Sequence, residues 1–197
     1  MNIFVTSCDP MRAAISLPDK LLVKMVVETA QILSTVHRKL DGDHYANKHN
    51  LYQKTHENHP VVLWTAAFDT HYWWLYIHFL HLLIEYGKRY HPEDYSYNAK
   101  DVKHKSAALV EPLATLPRTI PLMHKDKPEP YMTWQDFPLC MPDEYKVSNT
   151  GWPSFVVTES YQNYLSNGKD YINSDAWAHG RKPPTWFIGY TQPENGE

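Results

Sequence analysis

Apolar positions along the chain recur with helical spacing in two long stretches. In the first, Leu22, Met25, Val26, Leu33, Val36 and Leu40 lie mostly three, four or seven residues apart, which lines one face of a helix. Pro18 and Asp19 suit its first turn, the one by its fixed φ and the other by its charge at the positive helix end. The pattern predicts a helix from 19 to about 39, stopped near Gly42. The second stretch, 61–90, opens after Pro60 and closes at His91-Pro92. It is apolar on most sides, which predicts a single long helix at the centre of the fold.

The remaining chain is less periodic. Residues 2–7 (NIFVTS) read as a short extended segment, and Asp9-Pro10 marks a turn before a short helical turn at 12–16. Residues 41–58 are polar and rich in His, without a clear period. A short helix is expected within 100–109, a third main helix at 154–166 ending at Asn167-Gly168, and a further short one at 169–177. Eight prolines between 106 and 153 forbid long helices there. That stretch also holds Trp134, Phe137, Leu139 and Met141, so it reads as an ordered loop wrapping the helices, or a lid. The expected architecture is all-α: one helical domain over 1–190, about three main helices, the Pro-rich loop at 106–153, and a frayed tail at 191–197.

Composition narrows the chemistry. With 14 Tyr, 7 Trp and 12 His beside only 7 Gly, the chain is rich in flat rings with polar tips, fit for stacking or for core and loop packing. The net charge of −3 argues against a uniformly basic nucleic-acid binder and leaves room for a local basic cleft. Cys8 and Cys140 form neither a metal-type pair nor a disulfide framework. Residues 1–5 lack the basic and apolar regions of a signal peptide. The apolar run 61–84 contains Asp69, His71, His78 and His81, which speaks against a membrane span. A cytoplasmic protein is expected. No phosphate-binding glycine loop and no Gly-x-Ser-x-Gly elbow occurs, which excludes P-loop motors and ordinary serine hydrolases. No cofactor is called for.

Four constellations could carry chemistry. Lys20, Lys24, Glu28, Gln31, Thr35 and Arg38 share one face of the first long helix, flanked by Asp19 and His37. A carboxylate between ammonium groups stays ionised, as a general base or a stabiliser of positive charge requires; the alternative is a solvated face with helical ion pairs. Thr55-His56-Glu57-Asn58-His59-Pro60 precedes the second long helix, where free N–H groups can hold an anion. A capping loop is its alternative, and a metal set with His49 and Asp69 has no tight spacing. His71, His78, His81 and Glu85 would suit a metal or proton relay, or are core histidines with buried partners. Finally, Tyr161, Tyr164, Trp177, Trp186, Phe187 and Tyr190 lie close to Lys169, Arg181 and Lys182. Rings interleaved with cations serve single-stranded or extruded bases, or clamp the tail onto the core.

Several of these segments resemble known sequences. Asp9-Pro10, Asp19-Lys20, Val23-Lys24-Met25, Glu28-Thr29-Ala30-Gln31, the Thr55-to-Pro60 segment, Met141-Pro142-Asp143-x-Tyr145-Lys146 and the closing run 181–187 are similar to a family of small bacteriophage proteins. That likeness implies a source and no activity. Leu17-x-Asp19-x-x-Leu22, with Glu28 nine residues after the Asp, and Pro184-Thr185-Trp186-Phe187 resemble the phage pyrimidine dimer DNA glycosylases of the endonuclease V type. The resemblance implies a compact helical fold and a catalytic Glu at Glu28. It also implies attack on the sugar by a free α-amine exposed when the initiator Met is lost. Here Met1 precedes Asn2, a residue before which Met is usually retained, and Asn2 opens an apolar segment expected to be packed. Strand cleavage through a Schiff base is therefore not expected.

The resulting expectation is an N-glycosylase acting on a damaged or modified base in DNA. Glu28, Asp19 and His37 would be catalytic. Lys20, Lys24, Gln31, Arg38, His56, Asn58, His59, Arg181 and Lys182 would hold phosphates, and Tyr161, Tyr164, Trp186 and Phe187 would stack on bases, with no metal. A transferase building a hypermodified thymine in phage DNA is the second reading. A non-enzymatic protein that binds a host defence partner or sequesters a nucleotide is the third.

Overall fold

A computed structural model describes residues 1–123, 137–148 and 152–187. Trp134, Tyr190 and the expected frayed tail at 191–197 lie outside them. The described residues contain seven α-helices: α1 (Pro10–Ile15), α2 (Asp19–Asp41), α3 (Asp43–Lys48), α4 (Pro60–Ala67), α5 (Asp69–Tyr90), α6 (Val110–Leu113) and α7 (Pro153–Asn167). Among these residues there is no strand. No helix there is long and apolar enough to cross a membrane. The all-α expectation holds.

Helix α2 forms where the apolar spacing predicts it. Leu22, Met25, Val26, Leu33 and Val36 are fully buried, and Gly42 ends the helix with φ 74°, a conformation L side chains rarely adopt. α2 and α5 pack against each other, α1 lies on α5, and α4 on both long helices. The expected single helix over 61–90 is in fact two. Phe68 is extended, with φ −150° and ψ 152°, and the freed Asp69 N–H donates to the Pro121 carbonyl at 2.9 Å. Asp69 Oδ1 accepts from Thr70 N at 2.8 Å and from Met123 N at 3.0 Å. Hydropathy is blind to this break because the apolar run continues through it.

The start of the chain also differs from expectation. Residues 2–7 pair with no strand, and Phe4 has φ 51°. The segment is nevertheless buried, from Asn2 to Thr6, in line with the packing foreseen for it. The polar stretch after α2 yields the short helix α3. Within 99–113 the chain forms short 3-10 turns and α6 rather than one helix. Described parts of the Pro-rich stretch contact the helices. Asp41 holds the backbone of Arg118 and Thr119, and Phe137 packs edge-on to Trp64, with ring centroids 4.7 Å apart. The third main helix, α7, lies where it was expected. The short helix after it is a 3-10 turn at Ser174–Trp177. One core cluster joins residues from Ile3 to Phe187.

Candidate functional site

Glu28 sits midway along α2, its side chain 15% exposed, beside Lys24 at 58%, whose Nζ lies 3.3 Å from Oε1. The other carboxylate oxygen accepts from the backbone N–H of Asn2 at 3.3 Å. Asn2 is held for this contact at both ends of its side chain. Nδ2 donates to the Cys140 carbonyl at 2.9 Å, and Oδ1 accepts from Ile3 N at 2.8 Å. The chain's first residues are thus folded onto the middle of α2, and the loop around Cys140 closes over them.

The 55–60 segment is docked along the same helix. Thr55 N donates to Thr35 Oγ1 at 3.2 Å, and that hydroxyl donates back to the Thr55 carbonyl at 3.3 Å. His56 takes φ 48°, and its Nδ1 lies 2.6 Å from Thr55 Oγ1. His59 caps α4: its Nδ1 accepts from Val61 N at 3.3 Å, so the neutral ring carries its proton on Nε2. Partial burial pulls the His59 pKa below its ordinary value. The positive amino terminus and His56 pull the same way, while Glu28 opposes them. Glu28, the Asn2 nitrogen, Lys24 and His59 therefore form one polar face, with an acid, fixed donors and a chain terminus within electrostatic reach.

The expected flanking acids and bases are elsewhere. Asp19 and His37 each stand nine residues from Glu28, which is about 180° around a helix. Asp19 is buried, with Arg89 Nη1 at 2.9 Å and His179 donating from its backbone N at 3.1 Å. Burial alone would raise its pKa; the His179 and Arg89 hydrogen bonds outweigh that and lower it. Arg89 also donates to Glu85 at 2.8 Å, and Arg181 grips both Glu85 oxygens at 2.6 and 2.7 Å. Asp19 is thus a member of a buried charge network, and Arg181 is committed to an acid rather than held free for phosphate. His37 is buried against Tyr45 and Tyr72, and burial lowers its pKa to about 4; it is a core histidine.

Arg38 is corrected as well. It is buried, and its donors go to the Tyr52 and Leu51 carbonyls at 2.8 and 3.0 Å and to Asp43 and Asn47 at 2.7 and 2.8 Å. It staples the 43–52 chain to α2 and has no donor to spare for DNA. Lys20 and Lys24 are exposed and Gln31 half-buried, so the expected stripe is solvent-accessible only at its N-terminal end.

The aromatic residues separate in the same way. Tyr161 is fully buried and Phe187 nearly so; Tyr161 donates to the Pro138 carbonyl at 3.0 Å, and its burial raises its pKa. Neither can stack on a base. Tyr164 stacks on Phe4, and Lys169 Nζ lies 4.6 Å from its ring centroid. Trp186 lines an open cleft of about 560 Å³ with Arg12, Gln162, Arg181 and Lys182. His78 is also a core residue. It donates to the Pro10 carbonyl at 2.9 Å, and burial lowers its pKa to about 4. Among the described residues no group of three or more His, Cys, Asp or Glu could hold a metal.

Two features escaped the sequence: the Asn2–Glu28 contact and the Arg89-centred network. Both join residues far apart in sequence, one a backbone nitrogen, and no spacing marks them.

The fold and this face define a helical protein with one half-buried carboxylate held against its own N-terminal backbone. Residues 1–98 match the family model described as pyrimidine dimer DNA glycosylase. No curated protein and no solved structure matches the chain. The matched half contains Asn2, Lys24, Glu28 and His59. The Trp186 cleft draws most of its lining from outside it.

Proposed function

We propose that the protein is an N-glycosylase that releases a damaged or modified base from DNA, with Glu28 as its catalytic carboxylate. The observation that carries this is the 3.3 Å contact between the Asn2 nitrogen and Glu28 Oε2, inside the half of the chain that matches the glycosylase family. With Met1 in place that nitrogen is an amide. It orients the carboxylate and cannot attack carbon. Glu28 then acts on water: the water oxygen bonds to C1′ of the sugar as the C1′–N bond to the base breaks. Glu28 takes the water proton, the base leaves with the electron pair of the C1′–N bond, and the proton passes from Glu28 through solvent to the base, which regenerates the carboxylate. Its negative charge also stabilises the sugar cation that develops as the bond breaks. Lys24, Lys20 and the His56–His59 turn stand beside it as donors for backbone phosphates. The Trp186 cleft, with Arg12 and Lys182, offers a ring and cations at a second point of contact.

The test is incubation of the protein with unmodified, ultraviolet-irradiated and phage-modified duplex DNA, with released bases read by mass spectrometry. Base release is expected from wild type. Glu28→Gln should lose it by about 100-fold or more, with DNA affinity nearly unchanged. An undiminished Glu28→Gln rate would remove Glu28 from the mechanism. An altered nucleoside without released base would point instead to a transferase. In a chain beginning at Asn2 the same nitrogen is a primary amine. Borohydride trapping of a protein–DNA adduct from that form alone would then show the Schiff-base route.

A further inference from the structure

We infer that Tyr161 is a positioning residue for Glu28: through the Cys140 carbonyl and Asn2, its hydroxyl fixes the backbone N–H that the carboxylate accepts. This role rests on the glycosylase reading of Glu28. It also carries the site beyond the stretch that matches the glycosylase family, since Cys140 and Tyr161 both lie outside residues 1–98.

The two partners of the Glu28 carboxylate differ in rigidity. Lys24 reaches Oε1 with a side chain that is 58% exposed, and an ion pair of that kind holds its geometry loosely. The donor to Oε2, Asn2 N, is backbone. Its direction is set from outside, because residues 2–6 belong to no helix or strand. Phe4 within them takes φ 51°, a conformation that a bulky side chain adopts only where its surroundings impose it.

Helix α7 and the loop it holds impose it. Asn2 Nδ2 donates to the Cys140 carbonyl at 2.9 Å. That carbonyl sits in two successive three-residue turns, closed by Cys140 N on the Pro138 carbonyl at 3.1 Å and Met141 N on the Leu139 carbonyl at 3.0 Å. No helix or sheet steadies these turns. Tyr161 does so with one oxygen: its hydroxyl donates to the Pro138 carbonyl at 3.0 Å and accepts from Cys140 N at 3.3 Å. Burial raises the Tyr161 pKa, so the hydroxyl keeps the proton that this pattern needs. The ring is fully buried, edge-on to Phe4 and Phe137 with centroids 6.0 and 5.9 Å away, and cannot swing to another partner. On the same helix Gln162 Nε2 donates to the Thr6 carbonyl at 2.9 Å, and Tyr164 stacks on Phe4. Helix α7 thus grips residues 2–6 at both ends, and the Tyr161 hydroxyl is its hold on the Asn2 end.

The experiment uses Tyr161→Phe in the full chain, alone and combined with Asn2→Ala. The ring contacts remain in this variant, and Cys140 N and the Pro138 carbonyl keep each other, so it should unfold in urea as cooperatively as wild type. Hydrogen exchange at the Asn2 amide, followed by NMR, reads the relay without turnover and should be about 10-fold faster in Tyr161→Phe. Single-turnover base release should fall by a similar factor, about 10-fold, with DNA affinity unchanged. In the Asn2→Ala background the same substitution should cost no further rate, because the two residues act in one chain of contacts. An Asn2 amide as protected as in wild type overturns the inference, and so does a loss of rate that adds in full to that of Asn2→Ala. A wild type that releases no base would sink the glycosylase reading instead, and the Asn2 amide would still decide the relay.

Discussion

At the scale of single residues, the contrast between Glu28 and the other charged groups of α2 shows how burial assigns roles. Glu28 remains partly open, with an exposed lysine for a partner. Asp19 and Arg38 have their bonding capacity consumed by neighbours. Sequence periodicity put Glu28 on a polar face correctly. It could not tell an arginine that reaches solvent from one that folds back onto carbonyls, because that depends on where residues 43–52 return. Asn2 is the residue on which the site's geometry rests. Asn2→Ala removes the bond to the Cys140 carbonyl and the acceptor for Ile3 N, and should cost about 1 kcal/mol of stability. The freed N-terminal segment would no longer hold Glu28 Oε2. The base-release rate should then fall while DNA affinity stays near wild type. Chemical denaturation and single-turnover kinetics check the two effects separately, and an unchanged single-turnover rate would deny Asn2 its orienting role.

At the scale of elements, the structure is tied together by charges where the prolines and glycines let the chain turn. The helix starts at Asp19 and Pro60 were legible, since proline and acid in a first turn are local signals, whereas Pro10 reads as a turn and Pro153 as the end of the Pro-rich stretch. The Phe68 break was not legible, because its cause is the Pro121 carbonyl arriving from far along the chain. Nor was the link from α5 to the C-terminal segment. Glu85 on α5 receives Arg89 and Arg181, and Arg89 in turn holds Asp19 and the Leu17 and Ile15 carbonyls at the entry to α2. Burial would raise the Glu85 pKa, but Arg181 and Arg89 together keep it lowered. Glu85→Gln should therefore leave the half-buried Arg181 guanidinium without its counter-ion and the fully buried Arg89 with Asp19 alone. Losing one partner of a buried pair costs about 3–5 kcal/mol. The loss should appear as a lowered urea midpoint, together with faster tryptic cleavage after Arg181 as that segment detaches. A wild-type midpoint would show that the arginines find other partners.

At the scale of the whole molecule, the abundance of His, which the sequence left open between chemistry and core packing, is in part architecture, and this sets how the fold responds to acid. His37 and His78 are both buried and neutral, with pKa values lowered from 6.5 to about 4, chiefly by burial. The unfolded chain binds protons at these rings below about pH 6.5, while the folded chain refuses them until about pH 4. Their contribution to stability is therefore complete above about pH 6.5 and is lost as the pH falls toward 4. It amounts to at most roughly 3 kcal/mol for each ring. The lowered carboxyls of Asp19 and Glu85 have the same sign but a lower window, since their stabilisation begins to fail only where an unfolded carboxyl starts to protonate. Stability should thus decline in two stages, first through the histidine range and then more steeply through the carboxyl range. Urea denaturation across about pH 7.5 to 3.5 should resolve both. His78→Gln, which keeps a side-chain N–H for the Pro10 carbonyl, should remove about half of the first decline and none of the second. A profile that stays flat between about pH 6.5 and 4.5 would mean the folded protein accepts protons at these rings, and the core around them would have to be more open to water than their burial allows.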